Sequence, residues 1–261
     1  MKNMTHKIGT GVVTALLSTA SVAQAQTAAT KTEPSILSSL SDMKWYLNES
    51  VDIRTFKGSG STLFALNSTL GVDLTEDISI TLDLPVYSQD DNTTLSNINL
   101  GGSWDLLRGE NCCAVGTWNL SIGGGVYLPV GSEYFRNANV NPYINAAFDS
   151  KLWIFDFAQT AEYRFNGEES YITWLGAKTD SDVVTLGTNL SYELNSFDLG
   201  VELDQLYYVN SGENQIFLGP VASWNVASNV DLSAKVLIPV TQNVFTPESD
   251  VAFTGGLTIK F

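Results

Sequence analysis

The chain has 261 residues, with 28 acidic residues against 13 basic ones and a formal net charge of −15. So strong an acid excess argues against a nucleic-acid partner, whose phosphates it would repel. No run of 18 apolar residues follows residue 25, which excludes a chain of transmembrane helices but not a barrel, whose apolar residues are diluted by alternation.

Residues 1–25 read as a secretory signal peptide: Lys2 and Lys7, an apolar run from Ile8 to Val22, then Ala23-Gln24-Ala25. Its removal would take two basic residues, no acid and His6, the only histidine, leaving a charge of −17. Residues 26–43, rich in Thr, Ser and Ala, are expected to be a periplasmic lead-in to a barrel over 44–261.

From Lys44 the period-two alternation of half-buried strands begins. The first strand, 44–56, sets Trp45, Leu47, Val51 and Ile53 against Lys44, Asn48, Asp52 and Arg54. The second runs over 62–74, and the third, 78–87, alternates Ile78, Ile80, Leu82, Leu84 and Val86 with Ser79, Thr81, Asp83, Pro85 and Tyr87. After a polar loop at 88–94, further strands are expected near 98–106, 116–130 and 139–148. A turn at Asp149-Ser150-Lys151 then leads to a strand from Trp153 to Phe165. Residues 166–181 admit either a long loop or a short strand around Tyr171 to Leu175. Strands at 182–194, 197–208, 215–226, 229–240 and 250–261 complete twelve.

An even number of strands long enough to cross a bilayer predicts an all-β, closed antiparallel transmembrane β-barrel in the outer membrane. With the first strand running outward, Trp45, Trp104, Trp118, Trp153 and Trp224 fall at the periplasmic rim. Phe64, Phe165, Tyr207 and Phe253 fall at the outer one, giving the two aromatic girdles of a membrane barrel. The last strand alternates up to Phe261, and a terminal aromatic in that phase resembles the signal by which the barrel-assembly machinery recognises its clients.

The adjacent Cys112 and Cys113 leave three readings open: a strained local disulfide, a pairing to another chain, or two incidental turn cysteines. Enzymes on this architecture rely on a histidine base, and residues 26–261 have none, so no enzyme and no metal or other cofactor is expected.

The faces expected to point inward carry eleven acids: Asp52, Asp73, Asp83, Asp105, Asp156, Glu162, Glu193, Asp198, Glu202, Asp204 and Asp231. Against them stand Lys44, Arg54, Arg164, Lys235 and Lys260. Glu193, Asp198, Glu202 and Asp204 share one wall with no inward base predicted beside them. Such a lining favours cations; the competing reading is a solvated or salt-bridged filling of the barrel. Tyr87, Tyr127, Tyr143, Tyr208 and Phe217 are placed at the outer mouth, either to stack on a solute or to fill the girth. The expected function is passive passage of small-molecule solutes through a narrow, acidic lumen. The alternative is a filled structural or adhesive barrel acting through its external loops.

Leu84-Pro85-Val86, Leu128-Pro129-Val130 and Ile238-Pro239-Val240 are each expected to close an outward-running strand, where a residue without an N–H belongs. With these endings the chain resembles the barrel family named for the MetA pathway of phenol degradation. That resemblance implies an outer-membrane transporter.

Overall fold

The computed structural model describes residues 43–57, 61–110, 115–167, 170–172, 177–243 and 248–261. The expected signal peptide, nearly all of the lead-in and both cysteines lie outside them.

Twelve long antiparallel strands form one sheet that closes on itself. They are β1 (Lys44–Phe56), β2 (Thr62–Asp73), β3 (Ile78–Gln89), β5 (Ile98–Glu110), β6 (Val115–Leu128) and β7 (Asn141–Leu152), then β8 (Phe155–Arg164), β11 (Val183–Leu194), β12 (Phe197–Tyr208), β13 (Asn214–Ala227), β14 (Val230–Asn243) and β15 (Ser249–Lys260). Each pairs with its neighbour in this order. The ring closes because β1 pairs on one side with β2 and on the other with β15, from Tyr46 opposite Lys260 to Arg54 opposite Ala252. Closure leaves no unpaired edge, which is what lets strands stand in lipid. Three short strands are accessory: β4 (Asn92–Leu95) extends β3 as a hairpin, and β9 (Ser170–Ile172) pairs with β10 (Ala177–Thr179) apart from the main sheet.

The alternation read from the sequence maps onto the two faces of the ring. Leu70, Ile80, Leu100, Ile122, Ile144, Leu199 and Ile238 are exposed, as residues meant for lipid must be. Trp45, Trp104, Trp153 and Trp224 are exposed near the end that carries both termini of the barrel. Phe64, Phe165, Tyr207 and Phe253 are exposed near the other. Trp224 stacks on Phe197 at 5.3 Å across β12 and β13, and Trp118 on Phe148 at 6.4 Å. At the terminus end the described connections are short, down to two residues at Asn195-Ser196 and Ser228-Asn229, whereas the loop of residues 129–140 lies at the opposite end.

Several local expectations need correction. Asp149-Ser150-Lys151 is not a turn: β7 runs on to Leu152, and the reversal is at Trp153, whose φ of 60° supplies the left-handed step. This puts Asp149 and Lys151 on the inward face opposite Ala158 and Asp156. The polar stretch 88–94 is the tip of a hairpin, with positive φ at Asp90 and Asp91. Of the three proline tripeptides only Leu128-Pro129-Val130 closes its strand. Pro85 lies within β3 where the partner changes from β5 to β4, and Pro239 within β14 at a register shift. In both places the ladder is already interrupted, so the missing N–H is tolerated.

Candidate functional site

The lumen is built from the inward residues of all twelve strands, and it changes character along its length. Its terminus-side half includes small inward residues, among them Ser191, Gly200 and Ser233. Two inward rings, Tyr143 in the outer half and Tyr46 in the terminus-side half, lie against glycines of the neighbouring strands. A Cβ on Gly125 would come 2.7 Å from Tyr143 Oη, and one on Gly71 would come 2.0 Å from Tyr46 Cζ. In the terminus-side half the charged side chains face open space. Lys151 binds Asp156 at 2.9 Å and Glu193 at 3.4 Å, Lys260 binds Asp231 at 2.6 Å, and these five side chains keep 20–58% of their surface.

The outer half is packed. Asp52, Arg54, Glu202, Asp204 and Lys235 all face inward from β1, β12 and β14, yet keep only 3–8% of their side-chain surface. Lys235 Nζ donates to Glu202 at 2.6 Å and lies 3.6 Å from Asp204. Arg54 lies 3.6 Å from Asp52 and 5.7 Å above the ring of Phe217, which sits in an apolar cluster with Leu237 and Ala252. On the facing wall Arg164 lies 3.8 Å over the ring of Tyr127, donates to its hydroxyl at 2.8 Å and to Glu162 at 3.1 Å. Tyr143 packs 5.1 Å from Tyr127, and Asn99 donates to Asp83 at 2.7 Å.

Loop 129–140 folds into the outer mouth. Phe135, fully buried, joins the inward-facing Phe56, Leu63, Ala65 and Tyr87 in one cluster, with its ring edge-on to Tyr87 at 5.9 Å. The loop is held by a reciprocal pair in which Asn97 donates to the Asn137 side chain at 2.9 Å and accepts from the Asn137 amide at 2.7 Å. The Ser96 hydroxyl donates to the Phe135 carbonyl beside it.

The acidic residues expected in the lining, Asp83, Asp156, Glu193, Asp198, Glu202, Asp204 and Asp231, stand on the inward side of the alternation in β3, β8, β11, β12 and β14, at different heights. Glu193 stands at the open rim and Glu202 and Asp204 in the packed middle. The expectation that no base stands beside these carboxylates is overturned: Lys151 and Lys235 supply it. Lys235 was already read as inward-facing; what the sequence pattern lacked was its reach across the intervening strand. Lys151 was missed through the misplaced turn. The five aromatics expected at the outer mouth do lie in the outer half, but in separate settings. Tyr87 is under Phe135, Tyr127 and Tyr143 are beside Arg164, Phe217 is under Arg54, and Tyr208 is fully buried. Phe261 stands largely exposed, its amide donating to the Trp45 carbonyl. Phe135, Asn97 and Asn137 were not singled out from the sequence; the signal was the aromatic pair Tyr134-Phe135 in a mostly polar loop. No group of histidine, cysteine and acidic side chains able to hold a metal occurs among the described residues.

The same architecture is found in solved porins. The NanC porin aligns with a TM-score of 0.58 at 9% identity over 82% of this chain and 100% of its own. The KdgM porin in complex with disordered oligogalacturonate aligns at 0.51 and 12%, over 81% and 99%. An outer membrane channel from Pseudomonas putida F1 aligns at 0.53 and 13%, over 84% and 94%. These likenesses concern the fold. No curated protein matches the chain. One family profile, described as "Putative MetA-pathway of phenol degradation", matches residues 22–254, most of the chain, and the protein belongs to that family.

Proposed function

We propose that the protein is a channel of the bacterial outer membrane through which small solutes pass passively. The observation that carries this reading is the gradient along the lumen. A ring with a lipid-type exterior encloses a half whose paired charges stay exposed, which leads to a constriction of buried charge pairs and aromatics. A barrel with a purely structural role has no use for a hydrated vestibule, and conduction needs one wide enough to enter and a constriction that selects. The lumen remains richer in carboxylates than in bases, which supports the narrow, acidic passage.

The packed outer half favours a second reading, a filled barrel acting through its loops. Reconstitution into a planar bilayer separates the two. The channel reading expects discrete, ohmic conductance steps from protein that fractionates with the outer membrane and migrates differently on gels before and after boiling. Purified, folded protein that inserts and yields no steps would establish the filled barrel instead.

A further inference from the structure

The packed arc of the constriction has one centre. Lys235 on β14 reaches past the intervening strand β13 to Glu202 and Asp204 on β12. On its other side Lys235 stands opposite Thr254, which stands opposite Asp52 on β1 and donates to it at 3.5 Å. One ammonium therefore holds two carboxylates, Glu202 and Asp204, while Asp52 on the other flank keeps its own cation, Arg54, at 3.6 Å. The reach is possible because the inward residue of β13 opposite Glu202 is Gly219, which has no side chain to block it. Nothing larger fits there, since a Cβ would lie 1.7 Å from the Val236 carbonyl oxygen. Pro220 follows, and the β13–β14 ladder skips both residues, resuming at Val221 opposite Lys235. A buried lysine is otherwise avoided, and one held by two carboxylates across a gap left by an obligatory glycine has a definite geometry to maintain.

Building on the channel reading, we propose that Lys235 is the specificity-determining residue of the constriction. Its ammonium cancels charge that would otherwise draw cations into the narrowest part. It also holds the Glu202 and Asp204 side chains together in the packed arc, which limits the calibre. The solutes admitted are then small and carry little net charge, while larger neutral solutes such as oligosaccharides are held back.

Two variants separate charge from calibre. In Lys235→Gln the two carboxylates lose their common cation, and the cation-over-anion permeability ratio at pH 8 rises by about twofold or more. In the triple variant Lys235→Ala, Glu202→Ala, Asp204→Ala the whole cluster is truncated without leaving an unpaired charge. Single-channel conductance then rises by about twofold or more, and liposomes admit larger neutral sugars. Lys57→Gln, which breaks the exposed Lys57–Glu248 pair of the external β1–β15 side, leaves both readouts unchanged. If Lys235→Gln does not fold, the triple variant decides alone. A wild type that conducts while the folded triple variant conducts identically overturns the role of Lys235 and leaves the channel standing. A silent wild type opened by the triple variant supports the role of Lys235 and overturns passive conduction by the native protein. Silence in both overturns both.

Discussion

At Gly219 an added methyl group would overlap the Val236 carbonyl oxygen at 1.7 Å, backbone against backbone, with no flexible side chain to yield. Gly219→Ala must therefore push β13 and β14 apart. Over-packing of that kind costs about 1–3 kcal/mol and sometimes more. The expected outcome is a clear loss of the folded, heat-modifiable form at a given denaturant concentration. Gly255 on β15 is the internal comparison, because its nearest neighbour to a new Cβ is Phe253 at 3.7 Å. Gly255→Ala should be neutral or gain about 0.5–1 kcal/mol from the lower chain entropy of alanine. Equal unfolding of the two variants would sink the steric account. The residue scale is also where the sequence was least legible. Alternation told that Lys235 and Glu202 face inward, since side-chain direction has period two. It could not tell that they meet, because partners two strands apart depend on register, and the β13–β14 register shifts at Ile216/Phe217 and again at Asn225/Ala227.

The strands themselves were legible almost throughout, because each long one buries one face and shows the other to lipid, and that contrast is written in every second residue. The failures cluster where the physical contrast vanishes. At Asp149-Ser150-Lys151 three polar residues in a row look like a turn, but the inner face of the strand near the rim is itself polar, with Lys151 paired across to Asp156. The same limit hid loop 129–140, whose place in the mouth is fixed by side-chain hydrogen bonds between residues distant in sequence. Asn97 provides two of these, and each leaves a buried polar group behind if removed. An unsatisfied buried group costs about 1–3 kcal/mol, so Asn97→Ala should loosen the loop without unfolding the barrel. Arg136, next to the buried Phe135 and partly exposed in its pair with Glu133, supplies the probe. Trypsin added to intact cells should cut after Arg136 faster in Asn97→Ala than in the native protein. Unchanged cleavage would mean that the Asn97–Asn137 pair does not hold the loop.

Over the whole molecule, charge is distributed so that pairing removes much of what composition suggests. A net charge of −15 and a lining with twice as many acids as bases suggest a strong cation filter. Most of those acids, however, sit on Arg54, Arg108, Lys151, Arg164, Lys235 or Lys260, and a paired carboxylate contributes little field a few ångströms away. The exceptions are instructive. Asp83 is held by the neutral Asn99 and Asp198 by the Ser223 hydroxyl, while Asp149 has a buried carboxylate oxygen with no hydrogen-bond partner. These three lie on β3, β12 and β7, spread around the ring rather than along one wall. Fixed charges in a lumen act on ions within a screening length, about 8 Å at physiological salt and about 3 Å at 1 M. A twelve-stranded barrel is narrow enough that the longer of these covers much of its section, and the shorter does not. The native channel should therefore prefer cations modestly in dilute salt and lose that preference as salt rises. Replacing Asp83, Asp149 and Asp198 together by Asn should bring the reversal potential in a salt gradient close to the non-selective value. The pair Glu202→Gln, Asp204→Asn should instead leave Lys235 uncompensated and move the potential toward anions. A native channel that selects anions, or a triple Asn variant as cation-selective as the native protein, would show that the unpaired carboxylates do not set the field.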